Sequence, residues 1–308
     1  MGAGGIVGRV VACPPPAAAS VDFSSTADVV AAVRHARSVS LGAYVLPNPR
    51  LVRALEGAAD GGARVRVRLG APFHDPKGTL RRANEAVVRE LRSHRVDAAI
   101  ARGGLMHLKA AVVDGRAYLD DRNWGGRGFD DVVTDSDPAD VAAVRAALDG
   151  RPPRPSPSFA ATKRDALDLE RDVVAASAGG LDLQSEVIGP GPISSALAGA
   201  ARREHVRLIV SSDEIRRGPR ERRALDRLAS SGVEIRIGRG SRGGNDKLCV
   251  GGGTAWVGSA NATWAAPGSL DWGLRIQDAS LVARLRGRFE ANWTDGLPFV
   301  PAAREAPA

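Results

Sequence analysis

Two stretches of sequence decide the fold: GLMHLKAAVVDGRAYLDDRNW at residues 104–124 and NDKLCVGGGTAWVGSANATW at residues 245–264. In each, a lysine (Lys109, Lys247) is followed fourteen residues later by an asparagine (Asn123, Asn261). Each stretch is typical of an apolar strand, a glycine-containing turn, a second short strand and a polar loop that ends at the asparagine. The repetition of this layout at an offset of 138 residues predicts two similar halves in one chain.

The flanking sequence supports the same division. Residues 41–69 resemble residues 183–210, each with the pattern strand, turn, helix and strand, and residues 131–148 resemble residues 271–289, each with a strand and then a helix. Strands that alternate with helices are typical of a mostly parallel sheet covered by helices. We therefore predict an α/β fold of two similar halves, each a mostly parallel or mixed sheet flanked by helices, related by a pseudo-twofold axis.

The boundaries of the halves follow from composition. The segment RPPRPSPSFAATKR is rich in proline and falls between the two copies, so it is predicted to be a linker. Loops from two halves related by a twofold axis would meet at one interface, where ligand sites commonly lie. The predicted organisation is a flexible N-terminal tail (1–24), a first half (25–150), the linker (151–164), a second half (165–300) and a C-terminal tail (301–308).

Charge and cysteine content limit the function only broadly. The formal charge of +8 favours anionic partners such as nucleic acid, a phosphorylated small molecule or an anionic membrane surface, although a genome-wide preference for arginine explains the charge equally well. Two cysteines, Cys13 and Cys249, are too few for a disulfide framework and lack metal-ligand spacing. The compartment stays open between the cytoplasm and, if the start is truncated, export as a lipoprotein, because Val-Val-Ala precedes Cys13.

Lysine is the most informative residue type. The chain has 39 arginines but only four lysines, and two of the four, Lys109 and Lys247, hold equivalent positions in the repeat. An ammonium group is a compact charge with three rotatable donors, whereas a guanidinium group is a planar fork. Lysine at both positions favours a site that sets a small cation beside a phosphoryl oxygen. The alternative is that each lysine stem covers the end of a strand.

Further polar residues accompany these lysines. His107 lies two residues before Lys109, so both side chains emerge on the same side of an extended strand, where they could provide a nucleophile or general acid beside a phosphate clamp. Asn123 and Asn261 could donate amide N–H groups to phosphate oxygens, and Ser259 adds a hydroxyl donor. The alternative interpretation of these polar residues is a turn with a helix cap.

The pattern H-x-K, four residues, then D, with K…GSAN in the second copy, resembles the signature of the phospholipase D superfamily, and the resemblance covers residues 25–300. It implies cleavage or exchange of a phosphodiester bond without metal, through a phosphohistidine. It also implies a set of site residues: His107, Lys109, Asp114 and Lys247 as catalytic residues; Asn123, Ser259, Asn261 and Asn245 as phosphate ligands; and Asp130 or Asp131 as the residue that orients the histidine.

The sequence departs from this signature in three places. Asn245 stands where the second histidine is expected and Gly252 where the second aspartate is expected. In the first loop, Asp120 and Asp121 replace the usual Gly-Ser pair and bring negative charge towards a phosphate site, unless they point away. Asparagine cannot transfer protons, and losing one positioned acid–base group costs about 10²–10⁴-fold in rate. Weaker candidates for a substitute are three of the other histidines: His74, His94 and His205.

The sequence therefore predicts a phospholipase D-like phosphodiesterase or phosphatidyltransferase of bacterial type that acts through His107. No cofactor and no metal are expected. The expected partner is a phosphodiester substrate, a phospholipid or nucleic acid, with a possible anionic membrane surface, and the chain is expected to be a monomer. One alternative is a catalytically impaired member that binds phosphate, nucleic acid or a partner, and a weaker one is a nuclease.

Overall fold

The first half folds around a mixed sheet in the computed structural model, which describes residues 20–72, 75–101, 106–125, 132–212, 219–239 and 246–302. The strands of this sheet lie in the order β1-β7-β6-β5-β2-β3-β4, with β2, β3 and β4 parallel and the other neighbours antiparallel. The strands are β1 (Val21–Ser24), β2 (Ser38–Ala43), β3 (Arg64–Leu69), β4 (Asp97–Ile100), β5 (Ala110–Val113), β6 (Arg116–Asp120) and β7 (Val132–Asp135). The helices are α1 (Thr26–Arg34), α2 (Pro49–Asp60), α3 (Thr79–Ser93) and α4 (Pro138–Leu148).

The second half forms a corresponding mixed sheet in the order β15-β11-β10-β9-β12-β13-β14-β8. Its strands are β8 (Phe159–Ala160), β9 (Leu181–Ser185), β10 (Val206–Ser211), β11 (Glu234–Gly238), β12 (Leu248–Gly251), β13 (Thr254–Gly258), β14 (Gly273–Ile276) and β15 (Leu297–Pro298). Its helices are α5 (Lys163–Ala176), α6 (Pro192–Ala200), α7 (Pro219–Ser230) and α8 (Ala279–Asp295). The predicted α/β architecture of two mixed sheets flanked by helices is confirmed.

The repeat seen in the sequence is a repeat of strand register. In the first hairpin Ala110 pairs with Leu119, and in the second Leu248 pairs with Val257, so both partners are shifted by the same 138 residues. The strand beside each hairpin repeats as well, at a shift of 142: β2 pairs with β5, and β9 pairs with β12, in the same antiparallel register. Position by position, β9 is therefore the counterpart of β2.

The first helix of each half begins in the same way. Ser25 caps α1 by accepting a hydrogen bond from the Asp28 amide, and Thr162 caps α5 by accepting one from the Asp165 amide. Such caps satisfy amides that have no partner within the helix, and each is worth about 1 kcal/mol. The shared cap fixes the register of α5 relative to α1 at a shift of 137 residues.

The two halves share one apolar core. A single cluster of buried side chains includes Leu119 and Val144 from the first half and Trp272 and Phe289 from the second. Polar contacts join the halves beside this cluster, since the Trp272 indole donates to the Asp120 carbonyl oxygen at 2.9 Å. Loops of the two halves are therefore held against each other by core packing, and this packing determines which side chains meet.

The structure corrects the predicted boundaries at two places. Residues 21–24 belong to the edge strand β1, which pairs with β7, so they are not part of a flexible tail. The predicted linker ends early, because the buried pair Phe159–Ala160 forms β8 against β14 and Lys163 begins α5. Among the described helices, none is both long enough and apolar enough to span a bilayer.

Candidate active site

His107 lies at the seam between the halves. Its backbone amide donates to the carbonyl oxygen of Leu270 at 3.0 Å, next to an isolated parallel bridge between Met106 and Leu270. Its ring nitrogen Nδ1 is 2.7 Å from Oδ1 of Asp271, a buried carboxylate in the loop between β13 and β14. The first half therefore supplies the histidine and the second half supplies the carboxylate that orients it.

The Asp271 carboxylate is itself held in place. The buried Ser259 hydroxyl donates to Asp271 Oδ1 at 2.8 Å and accepts from the Trp272 amide at 3.0 Å. Burial alone would raise the pKa of Asp271, but His107 and the nearby lysines outweigh burial and lower it to about 2. Ser259 was predicted to bind phosphate, whereas in the structure its hydroxyl supports this carboxylate.

The surroundings of His107 favour the neutral imidazole. Burial lowers the pKa of His107, and the Lys109 charge lowers it further, although Asp271 opposes both effects. Because the ionised Asp271 accepts the Nδ1 proton, the lone pair lies on Nε2. The side chain is 23% exposed, and the ring of Tyr44 packs edge-on against it at 5.2 Å between centroids. His107 therefore carries an oriented imidazole whose side chain is partly exposed.

Lys109 lies directly beside this ring. Its Nζ atom donates to the His107 carbonyl oxygen at 2.9 Å and lies 3.0 Å from each ring nitrogen. The side chain is buried, and burial lowers the pKa of Lys109 to about 8, with a further contribution from the Lys247 charge. A bound anion stabilises the charged form of a buried ammonium, because its negative charge replaces the solvation that burial removed.

Lys247, the counterpart of Lys109, lies within electrostatic range of the same group. Its charge lowers the pKa values of both Lys109 and His107. Its Nζ atom is 3.4 Å from Oε2 of Glu186, and the Asn261 amide donates to the same oxygen at 3.4 Å. The structure therefore brings together the two lysines predicted from the repeat, and it adds a carboxylate that the sequence analysis did not identify.

The two carboxylates of the first polar loop contact other groups of that loop. Asp120 is buried and accepts hydrogen bonds from the amides of Arg122 at 3.0 Å and Trp124 at 2.5 Å, while burial and the neighbouring Asp121 raise its pKa to about 7. Asp121 pairs with Arg122 at 3.5 Å. Asn123 adopts a left-handed conformation with φ of 58°, and its side-chain oxygen accepts from the Val45 amide at 3.3 Å, next to Tyr44.

Asp114 does not lie with this group, and its predicted catalytic role is corrected to a structural one. It follows the C-terminal end of β5, whereas His107 precedes the N-terminal end. Its carboxylate accepts hydrogen bonds from the backbone amides of Arg37 (3.1 Å and 3.0 Å) and Ser38 (2.8 Å), which ties the β5–β6 turn to the start of β2.

The remaining predicted residues either fall outside the described residues or lie away from His107. Asn245, Asp130, Asp131 and His74 fall outside the described residues. His94 and His205 form surface pairs with Asp60 and Glu234, and neither contacts the residues around His107. The strand register makes Gly273 the counterpart of Val132, and Asp271 lies two residues before Gly273.

Three contributors were missed by sequence reasoning: Asp271, Glu186 and Tyr44. The repeat contained a signal for two of them, since LGAY ends at Tyr44 and its counterpart LQSE ends at Glu186. The repeat did not indicate that Asp271 contacts His107, because that contact joins the two halves.

Solved structures share this fold. Phosphatidylserine synthase from Haemophilus influenzae Rd KW20 matches with a TM-score of 0.66 and 11% identity over 91% of this chain and 87% of its own. Polyphosphate kinase from Porphyromonas gingivalis matches with a TM-score of 0.64 and 16% identity over 92% of this chain, which spans 52% of the kinase. The phospholipase D family member Nuc from Salmonella typhimurium covers 47% of this chain and 99% of its own, with 18% identity and a TM-score of 0.41.

No protein-family model and no curated protein matches the sequence. The likeness is one of architecture, and it agrees with the resemblance carried by the HLKAAVVD motif and its repeat. The chain has the same two-half α/β architecture as the phosphatidylserine synthase and the matched part of the polyphosphate kinase.

Proposed function

We propose that this protein transfers the phosphoryl group of a phosphodiester, with His107 as the nucleophile. The observation that carries the proposal is the arrangement around one imidazole: Asp271 bonds to Nδ1 at 2.7 Å, and the ammonium group of Lys109 lies beside the ring. Covalent catalysis at phosphorus needs an oriented nucleophile and positive charge beside the phosphoryl oxygens. Asp271 orients the imidazole, and the two lysines supply the positive charge.

The first chemical step follows from this geometry. Nε2 of His107 attacks phosphorus, the bond from phosphorus to the leaving oxygen breaks, and a phosphohistidine forms. Asp271 stabilises the positive charge that the ring gains, as the carboxylate does in serine-protease triads. Lys109 and Lys247 offset the negative charge on the non-bridging oxygens, so that the step needs no metal in this scheme.

The substrate class is a phosphodiester, and phospholipid and nucleic acid are the two sources to be compared. Water as the acceptor gives hydrolysis, and an alcohol as the acceptor gives exchange. The formal charge of +8 favours either polyanionic source.

A generic phosphodiester tests the proposal. We expect wild-type protein to release nitrophenolate from bis(p-nitrophenyl) phosphate and His107→Ala to lose about 10⁴-fold or more in turnover, because removing a nucleophile removes the covalent route. His94→Ala, at an exposed histidine of the same half, is the matched control and retains full turnover. Equal rates for wild type and His107→Ala contradict the proposal.

A second candidate is a phosphate-binding protein without turnover. It is favoured by Asn245 at the position of the second histidine and by the carboxylate of Glu186 at Lys247. Mass spectrometry of quenched reactions separates the two candidates. A phosphoryl adduct on His107 supports the enzyme, whereas binding of a phosphodiester that leaves His107 unmodified and releases no product supports the binding protein.

A further inference from the structure

Glu186 is the counterpart of Tyr44. The register shift of 142 residues that relates β2 to β9 carries Tyr44, directly after β2, onto Glu186, directly after β9. Tyr44 packs against the ring of His107 in the first half. In the sequence, the second copy has Asn245 where a second histidine is expected.

The contacts of Glu186 are those of a site residue. Oε2 lies 3.4 Å from Nζ of Lys247 and accepts from the Asn261 amide at 3.4 Å. Burial alone would raise the pKa of Glu186, but Lys247, Asn261 and Lys109 together lower it. The side chain is 33% exposed, so it is accessible to solvent while it contacts Lys247 and lies within electrostatic range of Lys109.

We propose that Glu186 is the general base that activates water against the phosphohistidine, an inference that rests on the proposed function. A carboxylate at this place takes over the proton transfer that Asn245 cannot perform. Only the second step uses it. In the first step the alcohol that leaves from a phospholipid or nucleic acid takes its proton from a solvent water molecule, whereas nitrophenolate departs without one.

The second step balances as follows. The oxygen of a water molecule bonds to phosphorus, the bond from phosphorus to Nε2 of His107 breaks, and its electron pair returns to the ring. The proton of the water passes to the Glu186 carboxylate and from there to solvent. The products are a phosphate monoester and the free imidazole, with no redox change and no further reactant.

Substrate binding makes Glu186 a better base. In the free protein Lys247 and Asn261 stabilise the ionised carboxylate. A bound phosphoryl group competes for Lys247 and adds a negative charge nearby, and both effects raise the proton affinity of the carboxylate. A water molecule that bridges the carboxylate and the phosphoryl group is then oriented for attack.

The test separates the two steps with rapid-quench measurements on bis(p-nitrophenyl) phosphate. We expect Glu186→Gln to keep a burst of up to one nitrophenolate per chain and to lose about 10²–10⁴-fold in steady-state turnover, with the phosphoryl adduct accumulating on His107. Hydroxylamine, which attacks phosphorus without help from a base, restores turnover in this variant. Glu234→Gln, an exposed glutamate of the same half, is the control and behaves as wild type.

Two outcomes overturn the inference while the proposed function stands. Turnover of Glu186→Gln equal to or faster than wild type means that the carboxylate only repels the substrate. Loss of the burst together with turnover, with no rescue by hydroxylamine, means that Glu186 holds the clamp in place and transfers no proton. If wild type forms no adduct and no product, the proposed function itself fails, and this inference fails with it.

Discussion

The two copies of the repeated hairpin share a backbone and differ in chemistry. In both, the last residue of the second strand donates a backbone hydrogen bond to the carbonyl oxygen of the repeated lysine. Asp120 donates to Lys109 at 2.8 Å, and Gly258 donates to Lys247 at 3.1 Å. The first copy has His107 before its lysine, whereas the second has Asn245 at that position of the sequence, and the carboxylate of Glu186 lies beside Lys247. Strand register is therefore retained between the two copies although their side chains differ.

The roles also cross between the copies. Asp271 of the second half orients His107 of the first, and the Trp272 indole bonds to the Asp120 carbonyl oxygen. The shared apolar core fixes these contacts, because packed interiors leave little freedom for one half to shift against the other. We therefore expect a variant that weakens a crossing contact to reduce the proposed activity more than a variant of a contact within one half.

Among variants that retain His107, the largest expected effect comes from Asp271→Asn, which replaces the carboxylate of the crossing contact with an amide of the same size. An amide cannot hold the Nδ1 proton and stabilise a charged ring as the carboxylate does, so we expect turnover to fall by about 10⁴-fold. Steady-state kinetics on bis(p-nitrophenyl) phosphate measure the effect, and the thermal midpoint verifies that the variant is folded.

The control for this variant is Asp168→Asn, an aspartate on α5 whose side chain is 47% exposed and pairs with Arg171. It is expected to retain wild-type turnover. If folded Asp271→Asn lost less than about tenfold, the crossing contact would not orient the nucleophile, and the two halves would be chemically independent.

A smaller effect is expected from Lys247→Met, which removes the second copy's charge and keeps a stem of similar length. Removing one donor that stabilises developing charge costs about 10²–10³-fold in rate. Lys77→Met, at an exposed lysine before α3, is the matched control and is expected to change nothing. Steady-state kinetics on the same phosphodiester measure the effect. Unchanged kinetics for Lys247→Met would mean that the site uses Lys109 alone and not lysines from both copies.

Sequence patterns predicted the features that repeat and missed those that depend on how the halves meet. The 138-residue repeat predicted both hairpins, and the scarcity of lysine predicted that Lys109 and Lys247 share a site. Asp271 could not be predicted as the partner of His107, because no spacing along the chain records a contact between separate halves. Asp114 was misassigned because β5 lies between it and His107, so the two residues stand at opposite ends of that strand although they are close in sequence.

Glu170 is a second difference between the copies, in the helix that packs on the second hairpin. The shared cap register makes Val33 its counterpart in α1, and both side chains are buried. The Oε2 atom of Glu170 has no hydrogen-bond partner among the described residues. Burial raises the pKa of Glu170 to about 8 from an ordinary value of 4.5, although the charge of Lys163 opposes the shift. The second half therefore carries a buried acid where the first carries a methyl-bearing side chain.

This difference makes the stability of the fold dependent on pH. The folded pKa lies above the unfolded one, so between pH 4.5 and about 8 the folded state binds more protons, and the free energy of unfolding falls as pH rises through that window. At about 1.4 kcal/mol per pKa unit, the loss attributable to Glu170 by pH 7 is about 3 kcal/mol. Urea unfolding at several pH values measures this slope.

Glu170→Gln is expected to remove that slope, because a side-chain amide stays neutral at every pH in the window. The variant is therefore expected to be more stable than wild type at pH 8, and the difference is expected to disappear near pH 4.5. Glu234→Gln, at an exposed carboxylate, serves as the control and keeps the wild-type slope. A wild-type slope that persists in Glu170→Gln would mean that Glu170 is ionised in the folded state, with Lys163 as its compensating charge, and that burial is not what distinguishes this helix from α1.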